Sequence, residues 1–185
     1  MKIETDMRGS RICIRNYRES DLVFLTDMWF DAENGKYLSD PAKEYVDEAY
    51  QKALDALGES PHGYYLVIVL ADTAERVGSC CMFPDETGKI YDIGYCVHRK
   101  FWRQGYGSEA LQLMLGWLGL QGAECVTAEV AVENAASNRL LGKLGFVVER
   151  TARFRKYHMD ITYDSYIYEK KLNALPSVDV QGERA

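Results

Sequence analysis

The chain reads as an α/β (α+β) protein, with a mixed, mostly antiparallel sheet of about seven strands flanked by about four helices. Two observations predict this. Apolar periodicity alternates between the two-residue repeat of strands and the 3.6-residue repeat of helices, in the order β-α-α-β-β-β-α-β-α-β-β. The connectors between the three central strands are short, which makes those strands an antiparallel meander and excludes a doubly wound parallel sheet. With 47% hydrophobic and 27% charged residues, the 185-residue chain has enough apolar material for a full core.

Arg11 to Tyr17 alternates apolar and polar residues, as a half-buried strand does. Ser20 and Asp21 read as the N-cap of a helix carrying Leu22, Leu25, Met28 and Trp29, which Asn34-Gly35 ends. Asp40-Pro41 predicts the start of a second helix running to Gly58. Strands follow at Tyr64–Leu70, Arg76–Phe83 and Lys89–Val97. A helix from Ser108 to Leu120 lays Leu111, Met114, Leu115 and Leu118 on the sheet, and Gly122 closes it. Glu124 to Val132 is a strand, and Asn134 caps a short helix bearing Ser137, Leu140, Leu141 and Leu144 that stops at Gly145. Phe146–Met159 and Ile161–Lys171 are the last two strands. Residues 1–172 are expected to form one domain and 173–185 a disordered tail of little apolar content.

The formal net charge of -6 argues against nucleic acid as a partner, since backbone binders need a broad basic face. No apolar run reaches membrane-spanning length and the N-terminus lacks a signal-peptide core, so a cytoplasmic protein with no membrane association is expected. The five cysteines show no Cys-x-x-Cys spacing and read as core thiols; the three histidines are scattered, so no metal site is expected.

One stretch departs from this pattern: Cys96-Val97-His98-Arg99-Lys100-Phe101-Trp102-Arg103-Gln104-Gly105-Tyr106-Gly107-Ser108. A strand passes through a basic loop and two glycines into a helix. The first turn of a helix has unpartnered N–H groups and the positive end of its dipole, where anions settle. Gly105 and Gly107 let a bulky polyphosphate approach the main chain, and Arg99, Lys100 and Arg103 add positive charge in an acidic protein. The spacing fits neither a dinucleotide fingerprint nor a P-loop.

Asp92-Ile93-Gly94-Tyr95-Cys96-Val97, then Gln104 to Leu111, then Glu133 to Phe146, and the ending Asp164 to Leu172 together resemble the GNAT acetyltransferase superfamily. The resemblance is closest to the RimJ/RimL-like branch, which acetylates protein N-terminal amines and related small amines, and it spans roughly 11–172. It implies a GNAT-like fold and acetyl-CoA as donor. The Arg103 to Ser108 segment would wrap the pyrophosphate, Cys96, Val97 and His98 would run beside the pantetheine arm, Asn134 would bond it, Ser137 would lie near the sulfur, and Lys143 would also bind the cofactor. Trp102 stands where the pattern usually begins with glutamine or arginine, Arg103 where glycine is common, and Leu141 where many relatives carry a tyrosine thought to protonate the departing thiolate.

Acetyl transfer to an amine needs a base, a polarised carbonyl and a proton for the sulfur. Asp92 is the candidate base, or else a surface strand carboxylate; Ser137 is the candidate acid, or else an ordinary first-turn residue; a backbone N–H near Val97 would polarise the carbonyl. Cys96 and His98 share a strand face, where a thiol–imidazole nucleophile is the alternative to a core cysteine beside an exposed histidine. Trp29, Phe30, Asp31, Tyr37 and Tyr163 are candidates to line a pocket for an amine-bearing small molecule or a peptide N-terminus, Trp29 being otherwise a core anchor of its amphipathic helix. The tyrosine-rich last strands are a candidate homodimer surface. The competing functions are a non-catalytic acyl-CoA-binding sensor or interaction module and a different CoA-dependent transfer.

Overall fold

The computed structural model describes residues 1–172. Eight strands form one sheet: β1 (Met7–Arg8), β2 (Ile12–Asn16), β3 (Tyr64–Leu70), β4 (Arg76–Pro84), β5 (Ile90–Val97), β6 (Cys125–Ala131), β7 (Val147–Arg155) and β8 (Thr162–Lys171). The helices are α1 (Leu22–Trp29), α2 (Glu48–Asp55), α3 (Tyr106–Leu120) and α4 (Ala135–Lys143). The sheet order is β1-β2-β3-β4-β5-β6-β8-β7, antiparallel except for β5 and β6. The predicted meander is present as β3, β4 and β5.

Strand alternation divides the core into two. Ile12, Ile14, Leu66, Ile68 and Ile93 face Leu111, Met114 and Leu118 of α3 in the larger cluster. The intervening Cys13, Val67, Val69 and Cys96 face Leu25 and Met28 of α1 in the smaller one. No helix among the described residues is long and apolar enough to cross a membrane.

Several boundaries differ from expectation for identifiable reasons. Asp21 does not cap α1. It is fully buried and accepts from Arg15 at 2.7 and 2.9 Å, from Arg76 at 2.7 Å and from the Arg18 N–H at 2.9 Å. Burial alone would raise its pKa, but these bonds overcome it and hold the carboxyl at about 2. The second helix starts at Glu48 rather than after Asp40-Pro41, because Asp47 supplies the cap by accepting from the Tyr50 N–H at 2.8 Å, while the Asp40 carboxylate is taken by the Tyr50 hydroxyl. Helix α3 begins two residues early, at Tyr106, with Gly105 at φ 85° as its N-cap. Strand β7 ends at Arg155, short of Met159, as the chain turns through His158 at φ 53°. The two-residue β1 had no sequence signal. The predicted tail lies outside the described residues.

The feature that positions everything else is the join between β5 and β6. The two pair only at Ile90↔Cys125, Tyr91↔Val126 and Asp92↔Thr127. Beyond Asp92 the strands part.

Candidate functional site

A cleft of about 790 Å³ opens in this wedge, walled by residues 93–97 of β5 and 128–131 of β6. The Trp102–Ser108 loop and turn close one end, α4 covers one side, and Asn34, Tyr37 and Leu38 reach in from the other.

At the loop end, Gly105 has no side chain to cap α3, so the first-turn N–H groups have no intrahelical or capping partner. Arg103 also lies in the left-handed region, at φ 61°, which gives a physical reason for glycine being common at this position. A Cβ on Gly107 would come 3.5 Å from Leu140, 3.7 Å from Val97 and 4.0 Å from Tyr95, all cleft residues, so any side chain there would project into the space. Arg11 ties the turn together, bonding Glu109 at 2.8 Å and the Gln104 carbonyl at 2.8 Å.

The positive charge reaches the cleft from only part of the basic loop, with α4 supplying the rest. Arg99 pairs with Glu33 at 3.3 Å and Lys100 with Glu75 at 2.7 Å, because the single 3-10 turn Arg99–Phe101 carries them outward. Arg103, Arg139 and Lys143 line the cleft instead, and none of them makes a salt bridge among the described residues. Arg139 was missed; it lies one turn before Lys143 on α4, and that i, i+4 spacing was the available signal. Gln104 and His98 do not line the cleft: Gln104 bonds the Lys100 carbonyl at 3.2 Å, and His98 accepts the Lys100 N–H at 3.2 Å while stacking on Phe24.

Along β5, the His98 N–H donates to the Val77 carbonyl, so even-numbered residues bond β4 and odd-numbered ones turn their main chain to the gap. Ile93, Tyr95 and Val97 therefore present an open strand edge. The Val97 carbonyl is partly committed: the Trp102 indole donates to it at 2.6 Å and the Asn34 amide at 3.4 Å. Cys96 lines the cleft, but its thiol accepts from Asn34 at 3.1 Å and burial pushes it up to about 12. With the His98 Nδ1 engaged by Lys100, no thiol–imidazole pair forms.

On α4, Asn134 caps the helix by accepting the Ser137 N–H at 3.2 Å. The Ser137 hydroxyl lies 2.5 Å from the Tyr95 phenol, a partner that the sequence reading did not identify. Burial pushes Tyr95 up to about 12, the Ser137 bond offsetting part of the rise, so the pair stays protonated at neutral pH. Leu141 is fully buried in the larger core cluster, and its neighbour Leu140 lines the cleft instead.

Two carboxylates flank the point where the strands separate. Asp92, at the last paired position, accepts from the Thr127 hydroxyl at 2.9 Å and reaches solvent rather than the cleft. Desolvation raises its pKa above 3.8, the Thr127 bond lowers it and the Glu129 charge raises it further. Glu129, two residues along β6, does line the cleft, and Ser165 bonds it at 2.5 Å. It too was missed, although it is the one charged residue in Cys125–Ala131.

Of the five aromatic and acidic candidates for the acceptor side, only Tyr37 lines the cleft. Tyr163 stands edge-on behind it at 5.6 Å and donates to the Lys36 carbonyl at 2.7 Å. Trp29 is occupied with Ser79 at 3.1 Å and packs on the smaller core cluster; Phe30 packs on Tyr50 at 6.1 Å. Asp31 accepts the Asn34 N–H at 2.7 Å, pinning the turn that brings Asn34 to the cleft. Another residue outside the reading, the buried Lys156, fastens this segment by donating to the carbonyls of Gly35, Leu38 and Asp40 at 2.9, 2.7 and 2.8 Å.

The family description "Acetyltransferase (GNAT) domain" matches residues 11–147. An N-acetyltransferase of Bacillus subtilis (strain 168), YoaA, is 26% identical over 170 residues, covering 90% of this chain and 94% of that protein. An acetyltransferase from Salmonella typhimurium that modifies the N-terminal serine of ribosomal protein L7/L12 superposes with a TM-score of 0.75 at 18% identity, over 91% of this chain and 100% of its own. The spermidine N-acetyltransferase of Vibrio cholerae, solved with CoA and spermine, gives 0.74 at 15% identity, over 88% and 96%.

Proposed function

This chain belongs to the GNAT family of acetyltransferases, and on that premise we propose that it moves the acetyl group of acetyl-CoA onto a primary amine, as RimJ/RimL-like enzymes do, with the coenzyme lying in the β5–β6 wedge. The observation that carries the reading is the loop end of the cleft: an uncapped first turn beside a glycine whose missing Cβ leaves the cleft open, with Arg103, Arg139 and Lys143 around it. These residues fit a diphosphate, and the free main-chain edge at Ile93, Tyr95 and Val97 fits the amide-bearing arm that follows it. The similar proteins from Salmonella and Vibrio act on a peptide N-terminus and on spermidine, both amines, which supports the acceptor class.

Acetyl-CoA, when bound, supplies a thioester-activated acetyl group. The chain's residues do the rest. An N–H from the β5 edge polarises the carbonyl oxygen in a site shielded by Leu140 and Val97. The Ser137 hydroxyl, oriented by Tyr95, donates toward the sulfur, and this does not need the tyrosine that Leu141 replaces. Asp92 remains the carboxylate that the sequence nominates for removing the amine proton.

The experiment is thiol release from acetyl-CoA with a panel of peptide N-termini, polyamines and small amines, comparing the unmodified protein with Ser137→Ala and Tyr95→Phe. Both variants should lower kcat about 10- to 100-fold while coenzyme A affinity stays within about twofold. Tight coenzyme A binding with no release from any amine would instead favour the non-catalytic sensor.

A further inference from the structure

We propose, on the transferase reading above, that the acceptor carries its amine on an aromatic or bulky apolar body, and that this body rests on a strip of the sheet made by Tyr65, Cys81, Phe83 and Gly94.

Strand register defines the strip. Val67, Ser79 and Cys96 lie side by side across β3, β4 and β5, and all three are buried on the face that α1 covers, where Trp29 donates to Ser79 at 3.1 Å. Two residues along each strand the same face carries Tyr65, Cys81 and Gly94, again register partners. These three are only half-buried. In the row after them Phe83 is half-buried and its partner Asp92 is exposed. Helix α1 therefore seals the first row and leaves the next two open to a ligand.

Glycines keep the strip flat and join it to the cleft. A Cβ on Gly63 would fall 2.3 Å from the Phe83 ring, so the ring lies against bare main chain. A Cβ on Gly94 would fall 2.8 Å from the Cys81 sulfur and crowd the strip where it meets the cleft, which Gly94 lines. Tyr65 meets Phe83 edge to face at 5.7 Å, so two rings set at 81° form the floor.

Two rings, a thiol and a glycine offer apolar contact and no charge. The carboxylates around the acceptor end each accept from a partner already: Glu33 from Arg99, Asp92 from Thr127, Glu129 from Ser165 and Asp40 from the Tyr50 hydroxyl. An extended polycation would have to draw on several of them at once. An amine on an apolar body needs only its ammonium end beside the cleft, and the rest of the molecule leaves water for the strip.

Thiol release should be followed with acceptors that share a primary amine and differ in the body attached to it: peptides beginning with phenylalanine, leucine, alanine or serine, with phenethylamine and spermidine. The phenylalanine peptide or phenethylamine should exceed the alanine peptide and spermidine in kcat/KM by at least about tenfold, and whichever aromatic acceptor is better separates a peptide terminus from a free amine. Phe83→Ala should lower kcat/KM for the aromatic acceptors at least about tenfold while the alanine peptide and coenzyme A affinity stay within about twofold. Phe83→Leu should fall between. A purely structural Phe83 would lower every acceptor together. A readout independent of turnover is phenethylamine titrated into the coenzyme A complex, which should move the Cys81 and Gly94 amide resonances at concentrations where spermidine does not. Equal kcat/KM across the series, a preference for spermidine, or unmoved Cys81 and Gly94 signals overturns the inference. Signals that move while no amine is acetylated overturn the transferase reading and leave the strip as a site for aromatic amines.

Discussion

The two ends of the cleft are built by different rules. The loop end is mostly main chain from one contiguous run, the uncapped turn at residues 105–108 beside the β5 edge, with a few cations added from α4. The acceptor end is made of side chains from distant segments: Asn34 and Tyr37 from the loop after α1, Glu129 from β6, and behind them Ser165 and Tyr163 from β8 and Lys156 beyond β7. The difference predicts that the loop end tolerates little change in shape, whereas the acceptor end depends on long-range ties that can be cut without disturbing the other end.

The most severe test is Gly107→Ile. Its side chain would enter the cleft among Leu140, Val97 and Tyr95, and coenzyme A affinity measured by calorimetry should fall by about two orders of magnitude or more, while Gly107→Ala, whose Cβ meets only ordinary contacts, should cost far less. If the isoleucine variant binds normally, the coenzyme does not pass this turn. Next is Lys156→Met, which leaves the carbonyls of Gly35, Leu38 and Asp40 without their shared donor. Loosening the acceptor segment should raise the KM for the amine about tenfold and leave coenzyme A affinity unchanged; an equal effect on both ligands would show that the ends are not separable.

A smaller effect is expected for Arg139→Ala, one of several cations at the exposed loop end of the cleft. A three- to fivefold weaker coenzyme A affinity, shrinking further as salt is raised, would be measured by titration at two ionic strengths. The cleft should be affected least by Asp21, which belongs to neither end. Its folded pKa of about 2 lies below the ordinary 3.8, so its ion-pair stability is fully present above about pH 4 and is lost as pH falls toward 2. That is worth about 2 kcal/mol, and Asp21→Asn should flatten the acid limb of the unfolding curve without moving coenzyme A affinity at pH 7.

The same contrast explains what could be read from the sequence. The glycines at 105 and 107, the cap at Asn134 and Ser137 are local signals, since a helix end is specified by a few consecutive residues. The element order followed equally well from periodicity. Arg103 and Lys143 line the cleft as read, but Arg99 and Lys100 do not: they are adjacent to the glycine run in sequence, yet a 3-10 turn rotates them away toward Glu33 and Glu75. Trp29 could be read either as a pocket wall or as a core anchor of its helix; it packs on the smaller core cluster and its indole is spent on Ser79. Glu129 escaped notice because its place in the cleft depends on where β5 and β6 stop pairing, and its partner is a serine 36 positions away, neither of which leaves a local pattern. Asp21 has cap chemistry in sequence; only the arrival of Arg76 from β4 makes it a buried ionic hub.

Because β5 and β6 exchange hydrogen bonds only along Ile90–Asp92 and Cys125–Thr127, the sheet is two plates riveted at one corner. The gape between the plates is set by where that pairing stops. A single further rung of pairing past Asp92 would zip the plates together and erase the site, leaving a stabler sheet with nothing to do.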